Sequence, residues 1–453
     1  MIKLSKRLNL LNTKPIQPKV PHHKNTIHQK TIHMKIPSHV KIRMDQHIGT
    51  PCSPVVKEGD NVKVGQVIAE SNALVSTPIH ASVSGIVEKI EAVTLENGQS
   101  VTEIIINADG FQTLDESLKP PMIKNQADFF QAVKNSGLVG LGGAAFPTHV
   151  KLDVSSKEER HLDILLINGA ECEPYITSDA REFLETPYDL LAGIQVVSHY
   201  LKIKKVIIGI EDHNQEVIKS LSDVLSKARE AYPQISIKQL PSTYPQGAEK
   251  VLIQTCTGRI VPLGKLPPDV GVQVLNVSTI ASLARYLKTG IPLTLRRVTV
   301  DGSAIRNPGN IWVPIGTITR DIITFCGGYQ EKPYLLLHGG PMMGVAQEND
   351  EAPITKRTNA ILAFGKSEMK EHEEIACIRC ARCIDACPVN LMPVSIDQNV
   401  RIKNLDALHT LDLNACINCG LCSFVCPSNR TLVQHIRIGK DMLRDSTEGG
   451  KTS

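Results

Sequence analysis

No stretch of this 453-residue chain supplies the roughly 18–20 consecutive apolar residues that a membrane-spanning helix needs. The N-terminus also lacks the apolar core of an export signal. Without export there is no oxidising compartment to lock disulfides. The twelve cysteines therefore read as thiols of a reducing compartment, and the chain is expected to be cytosolic, touching a membrane only through partners or a basic surface. Aromatic residues are scarce at 4%, with Trp312 the single tryptophan. A formal net charge of +4 is too small for this length to indicate nucleic-acid binding. Acid is missing from the start of the chain. No Asp or Glu precedes Asp45, while ten Lys or Arg and five histidines (His22, His23, His28, His33, His39) stand within residues 1–43. That stretch reads as a basic tail over 1–40, either solvated or docking on anionic lipid or an acidic partner. Its histidines have no metal-ligand spacing.

The length accommodates several domains. Residues 41–110 read as short strands broken by glycine turns, in two halves, VKEGDNVKVGQ and HASVSGIV. They resemble the barrel-sandwich fold of biotinyl and lipoyl carrier domains. The hairpin between the halves, where carriers present a modifiable lysine, has none from Glu70 to Val83. A structural module is expected, not a swinging arm. Residues 120–292 alternate amphipathic helices with buried strands such as ILLING and KVIIGIE, the pattern of an α/β domain. Residues 293–347 return to short strands with Gly/Pro turns, a small β-rich module. Charged residues with Thr and Asn over 348–368 suggest a linker, followed by a cysteine domain over 369–440 and a short tail over 441–453.

The strongest signal is a repeated run. Cys377-x2-Cys380-x2-Cys383-x3-Cys387-Pro388 recurs as Cys416-x2-Cys419-x2-Cys422-x3-Cys426-Pro427. Soft thiolates at this spacing suit 4Fe–4S clusters, three sulfurs of one loop capping one cube face. In two-cluster ferredoxins the fourth cysteine serves the other cluster. By that rule Cys377, Cys380, Cys383 and Cys426 hold the first, and Cys416, Cys419, Cys422 and Cys387 the second. Zinc favours two ligand pairs and does not match this triplet-plus-one repeat. The long spacer between the runs is helical in pattern, so an α-helical two-cluster module is expected. Cys52, Cys256 and Cys326 are isolated and read as core filler.

A glycine loop, Gly140-Leu141-Gly142-Gly143-Ala144-Ala145-Phe146-Pro147-Thr148, superficially contains a dinucleotide fingerprint. A helical pattern precedes it where that fingerprint requires a strand, so the Rossmann reading fails. Consecutive glycine N–H groups still make a phosphate nest. The acidic turn Asn168-Gly169-Ala170-Glu171-Cys172-Glu173-Pro174 follows the strand ILLI, and ligands of open α/β sheets sit at strand carboxyl ends.

Together these segments resemble the flavin- and NADH-binding subunit of respiratory complex I. In their order they resemble, more closely, the C subunits of Rnf/Rsx electron-transport complexes. HIGTPCSPVVKEGD, GLGGAAFPTHVKL, INGAECEPYIT, VLNVSTIASL, HGGPMMG and both cysteine runs stand in the same succession over residues 40–440. The resemblance implies a barrel-sandwich hybrid, a complex-I-type flavin domain, a small β-grasp-like (SLBB-like) module and an α-helical two-cluster domain. It implies FMN phosphate on Gly140, Gly142 and Gly143 with Lys151 nearby, and Asn168, Glu171 and Cys172 beside the isoalloxazine. Gly247, Glu249, Asn276 and Thr279 would complete the pocket, while Phe146, Glu173 and Glu249 would face NAD(H). Leu141, Ala170 and Ala248 depart from complex I, which has arginine, aspartate and glutamate there. No catalytic side chain is assigned. The implied function is a peripheral, translocase-type oxidoreductase subunit on the cytoplasmic face of a bacterial inner membrane, active within its complex. It would pass electrons between NAD(H), FMN, two 4Fe–4S clusters and a ferredoxin-type carrier, with ion movement in partner subunits. The alternative is a non-catalytic iron–sulfur scaffold with a vestigial flavin site. The α subunit of sodium-pumping NADH:quinone reductase shares the first domains but lacks the cysteine runs.

Overall fold

A computed structural model describes residues 18–95, 98–153, 161–232, 234–369 and 373–449. They fall into two compact units: residues 22–242 with 249–369, and residues 18–21 with 243–248 and 373–449.

The larger unit begins with the barrel. Strand His39–Arg43 pairs antiparallel with Ser100–Ala108, which pairs with Gly85–Thr94 and, beyond it, Asn61–Val62. Alternation sets its core: Val40 and Ile42 point inward opposite Ile106 and Ile104, and all four are fully buried. The turn glycine of the SVSG motif is required by close approach. A Cβ on Gly85 would lie 2.0 Å from the Asn107 carbonyl oxygen.

The α/β domain is a parallel sheet in the order Ile235–Leu240, Lys205–Glu211, Ile164–Gly169, Val272–Asn276. The central ILLI strand is apolar on both faces. Leu165 and Ile167 enter one core cluster and Ile164 and Leu166 the other, as a strand covered by helices on two sides demands. Helices Pro187–Tyr200 and Val277–Thr289 pack so closely that a Cβ on Gly193 would lie 2.3 Å from the Ile280 carbonyl oxygen. The chain leaves Ile164–Gly169 toward Lys205–Glu211 on one side and returns to Val272–Asn276 on the other. Strand order thus reverses beside Asn168 and Asn276, which are register partners.

The β-rich module is larger than its sequence suggested. Its six-stranded sheet runs Ile32–His33, Gly309–Pro314, Leu295–Asp301, Ala360–Phe364, Leu335–His338, Val345–Gln347. Two expectations are corrected here. The 348–368 segment is not a linker: Ala360–Phe364 is a buried strand between two others, and Lys356 is itself buried, donating to the Pro78 and Gly137 carbonyls at 2.9 and 2.6 Å. Nor are residues 22–40 a solvated tail. Thr26 is fully buried and Ile32–His33 adds a parallel edge strand; residues 1–17 of the expected tail lie outside the described residues. The lone Trp312 lies 4.6 Å beneath the Arg297 guanidinium, which pairs at 3.0 Å with the buried Glu182 of the α/β domain.

The smaller unit is helical, as the spacer pattern required, with Pro393–Arg401, Leu405–Thr410 and Leu432–Gly449 around one core. Asp397 lies at its centre, fully buried. Burial would raise its carboxyl, but hydrogen bonds from Arg430 (2.6 Å) and Arg401 (3.1 Å) hold it below the usual range. The two cysteine runs repeat in backbone as well as in sequence. Left-handed residues Arg379, Ala381 and Asn390 recur at Asn418, Gly420 and Asn429, each pair offset by the interval that separates Cys377 from Cys416.

If Ala360–Phe364 is a core strand, truncating it is costly. Ile361→Ala should destabilise the larger unit by about 2–5 kcal/mol, measured as a lower thermal midpoint, whereas the same change in a true linker would leave the midpoint unmoved.

Candidate flavin pocket and cluster cavities

The glycine loop is pinned from outside and left open on its inner side. Gly140 N–H donates to the Phe146 carbonyl (2.8 Å) and Ala145 N–H to the Gly140 carbonyl (3.1 Å). Leu141 N–H donates to Thr279 Oγ1 (2.9 Å), and the Arg296 guanidinium to the Leu141 carbonyl (3.0 Å). The Leu141 side chain is buried in the core, so this departure from complex I is a packing residue. Gly142, Gly143 and Ala144 are exposed, and among the described residues their N–H groups meet no protein acceptor. Gly143 has φ +110°, a left-handed value that favours glycine, and a Cβ there would project into open space. The loop rests on the start of helix Val277–Thr289: a Cβ on Gly142 would lie 3.4 Å from the Asn276 amide nitrogen. Asn276 caps this helix, accepting from Thr279 N–H (3.2 Å). Unpaired N–H groups beside a helix N-terminus, at the switch point of a parallel sheet, fit a phosphate monoester.

The acidic turn closes the other side. Asn168 Oδ1 accepts from Ala170 N–H (3.1 Å). Glu171 turns its carboxylate into the protein, accepting from Asp179 N–H (2.8 Å) and Ala180 N–H (3.3 Å) at the start of helix Ser178–Glu185. Burial pushes this carboxyl upward, against the opposing charge of Lys24. Its side chain therefore holds the turn, and the backbone is what it offers a ligand. Cys172 is half-buried in the same turn. Glu173 reaches into the β-rich module, where Met342 N–H donates to its Oε2 (3.1 Å). Glycine leaves room beneath it: a Cβ on Gly340 would come within 2.1 Å of that oxygen, so Glu173 would have to shift. Lys151 Nζ and Glu249 Oε1, expected on phosphate and nucleotide, form an ion pair at 2.6 Å, both partly exposed. The structure thus gathers Gly140, Gly142, Gly143, Asn276 and Thr279 at one edge of the pocket. Gly247 belongs to the smaller unit through the Thr243–Ala248 segment.

Sequence reasoning misses several residues here. The phrase HGGPMMG carries the resemblance but gives no role to Gly340 or Met342, and Lys24 has the composition of a tail around it. Glu211, the last residue of its strand, is fully buried with neither carboxylate oxygen bonded among the described residues, and burial pushes it up to about 8. Its position at a strand end beside the acidic turn was the available signal.

In the smaller unit Cys377, Cys380, Cys383 and Cys426 line a cavity of about 250 Å³. Cys387, Cys416, Cys419 and Cys422 line a second, tighter one of about 20 Å³. Among the described residues no three His, Cys, Asp or Glu side chains converge as a single metal ion requires; the thiols ring cavities instead. The left-handed residues after the first cysteines aim backbone donors at sulfur, Arg379 N–H to Cys377 Sγ at 3.4 Å and Asn418 N–H to Cys416 Sγ at 3.3 Å. Leu391 N–H does the same for Cys387 Sγ at 3.3 Å. Such donors stabilise thiolate charge and tune cluster potential. Tyr244, buried in the same unit, donates to the Cys419 carbonyl at 2.8 Å.

Fold and sites together define a flavin- and iron–sulfur-containing electron-transfer subunit. Four family profiles cover the chain: the RnfC barrel sandwich hybrid domain over 16–111, the Nuo51 FMN-binding domain over 133–285, the SLBB domain over 297–346 and the 4Fe–4S dicluster domain over 376–430. The chain is 42% identical to the C subunit of the proton-translocating ferredoxin:NAD(+) oxidoreductase complex of Clostridium ljungdahlii, covering 79% of this chain and 78% of that one. It is 41% identical to the Na(+)-translocating counterpart of Acetobacterium woodii, covering 90% and 91%. With the C subunit of the ion-translocating oxidoreductase complex of Rhodobacter capsulatus the identity is 38%, covering 91% and 79%. A solved NAD+-reducing NiFe hydrogenase shares the fold over 70% of this chain and 63% of its own, with a TM-score of 0.53 at 19% identity. The chain belongs to the family of C subunits of Rnf-type ion-translocating oxidoreductase complexes.

Two complete ligand sets should yield about eight iron and eight acid-labile sulfide per chain after anaerobic purification. Cys426→Ser should leave about four of each, with one cluster signal lost by electron paramagnetic resonance. Stoichiometric zinc in the native protein would contradict the cluster reading.

Proposed function

We propose that this subunit exchanges a hydride's electron pair with NAD(H) at the flavin pocket and passes electrons singly through its two clusters to a ferredoxin-type partner. The observation that carries this reading is the open glycine loop on the helix N-terminus, facing the acidic turn across the sheet's switch point. Bound there, FMN supplies the step that neither partner can make alone, because hydride delivers two electrons and an iron–sulfur cluster accepts one. The chain's own residues do the holding. Gly142 and Gly143, with Lys151, take the phosphate, while Gly140, its N–H given to the Phe146 carbonyl, pins the loop; Asn168, Glu171 and Cys172 form the turn beside the ring system. Asn276 and Thr279 complete the pocket, and Phe146, Glu173 and Glu249 serve the nicotinamide nucleotide. One cluster takes Cys377, Cys380, Cys383 and Cys426, the other Cys416, Cys419, Cys422 and Cys387; the two cavities support that division.

Its relatives are named as subunits of ion-translocating complexes. Among the described residues no helix is long and apolar enough to cross a membrane. Ion movement is accordingly assigned to partner subunits, and this chain to a peripheral position on the cytoplasmic face, acting as a translocase-class oxidoreductase only within the complex. The basic N-terminal residues supply an electrostatic contribution to docking. Because residues 22–40 are built into the fold, deleting residues 1–17 alone should raise the fraction released from membranes by moderate salt; unchanged release would remove docking from their role.

Gly143→Val, a β-branched residue at a left-handed position facing the phosphate, should abolish flavin absorbance while iron and sulfide stay at wild-type content. Glu173→Gln should retain flavin and raise the NADH concentration needed for half-maximal cluster bleaching about tenfold, the loss of one charge-assisted hydrogen bond. A Gly143→Val protein that keeps its flavin and its NADH-driven cluster reduction overturns the site.

A further inference from the structure

One N-terminal lysine is unlike a surface lysine. Lys24 Nζ donates to three carbonyl oxygens, those of Glu171 (2.5 Å), Glu173 (2.9 Å) and Ile176 (2.6 Å). An ammonium has three N–H donors, and all three are committed to one turn. That turn is the acidic segment at the carboxyl end of the central strand. The residues around Lys24 fix it there. Tyr175 N–H donates to the His22 carbonyl (3.0 Å), and the His22 ring stacks on His213 at 4.4 Å. Thr26 Oγ1 shares a 2.5 Å hydrogen bond with Thr177 Oγ1, and the Asn310 amide donates to the Thr26 carbonyl at 3.1 Å. The segment is strapped to both the flavin domain and the β-rich module.

Two buried carboxyls lie within the field of this ammonium. Burial raises both Glu171 and Glu211, and Lys24 is the charge that most opposes that rise. Asp179 and Asp212 add negative charge to the same surroundings. A cation held rigidly in low dielectric acts over several ångströms with far more effect than one in water.

We propose that Lys24 is a positioning residue of the flavin site, holding the 171–176 turn by its backbone and setting a fixed positive charge beside the ring system that the turn borders. The inference rests on the reading that flavin binds at this turn. Added electrons make a flavin more negative, so a nearby fixed cation favours its reduced state. The first domain's N-terminal strap thereby belongs to the redox site of the second.

The test uses the full-length protein, purified anaerobically with both clusters. Lys24→Met keeps the length and removes the charge and all three donors. Flavin should bind about tenfold more weakly, from carbonyls left unpaired. The two-electron reduction equilibrium of the remaining bound flavin should also fall about tenfold, or about 30 mV more negative. A clamp without an electrostatic role would weaken binding and leave that potential where it was. Lys24→Arg keeps the charge but, with a planar fork, cannot aim three donors from one atom. It should hold the potential and lose affinity. Wild-type potential in Lys24→Met overturns the electrostatic part of the proposal. If Lys24→Met fails to fold, wild-type flavin affinity in Lys24→Arg overturns the clamp. Flavin retained by Gly143→Val would instead sink the underlying site. Flavin lost there but undisturbed in Lys24→Met would sink the inference about Lys24 alone.

Discussion

The Ile164–Gly169 strand is hydrogen-bonded on both edges and apolar on both faces, so nothing about its position is adjustable. Its last residues must leave the sheet at once, because Asn168 and Asn276 stand side by side where the strand order reverses. The acidic turn begins there on one strand, and a helix begins on the other. The glycine loop arrives from outside the sheet and settles on that helix. Loop, helix start and acidic turn are thereby gathered at the carboxyl ends of one strand pair.

Most charged side chains expected to touch the flavin or nucleotide have protein partners of their own. Glu171 caps a helix, Glu173 reaches the Met342 N–H, and Lys151 pairs with Glu249. Glu171 and Glu173 brace the acidic turn by these bonds, and the open N–H groups of the glycine loop are peptide dipoles. Peptide N–H groups need no reorganisation when charge arrives and cannot lose their protons, which suits a site where electrons come and go. The barrel and the β-rich module take part in that holding. Lys356 reaches carbonyls in two other segments, and Gly340 makes room for Glu173.

The cysteine runs, the glycine loop and the parallel α/β order were legible because each depends on residues near one another in sequence. Spacing named eight thiols and the crossed-ligand rule of two-cluster ferredoxins divided them; each cavity is lined by one of those two sets. What escaped depends on distant partners. Ala360-Ile-Leu-Ala-Phe364 is five apolar residues among threonines and charges, and only its place between two other strands makes it core. Residues 22–33 carry the composition of a solvated tail, yet Lys24 finds three carbonyls roughly 150 positions away. Glu171 was readable as a site residue but not as a cap, because the helix it caps starts seven residues later, with Ser178. Composition reports average solvation; it cannot report a single long-range hydrogen bond.

The cavity linings impose an order in time. A chain emerging from the ribosome presents Cys377, Cys380 and Cys383 first, but their cavity also needs Cys426. The other cavity has all four thiols once Cys422 has appeared, since Cys387 was made earlier. The site encoded second is therefore complete before the site encoded first. Each run's fourth cysteine lines the cavity of the other run's triplet, so neither half of the duplicated sequence lines a four-thiol cavity by itself.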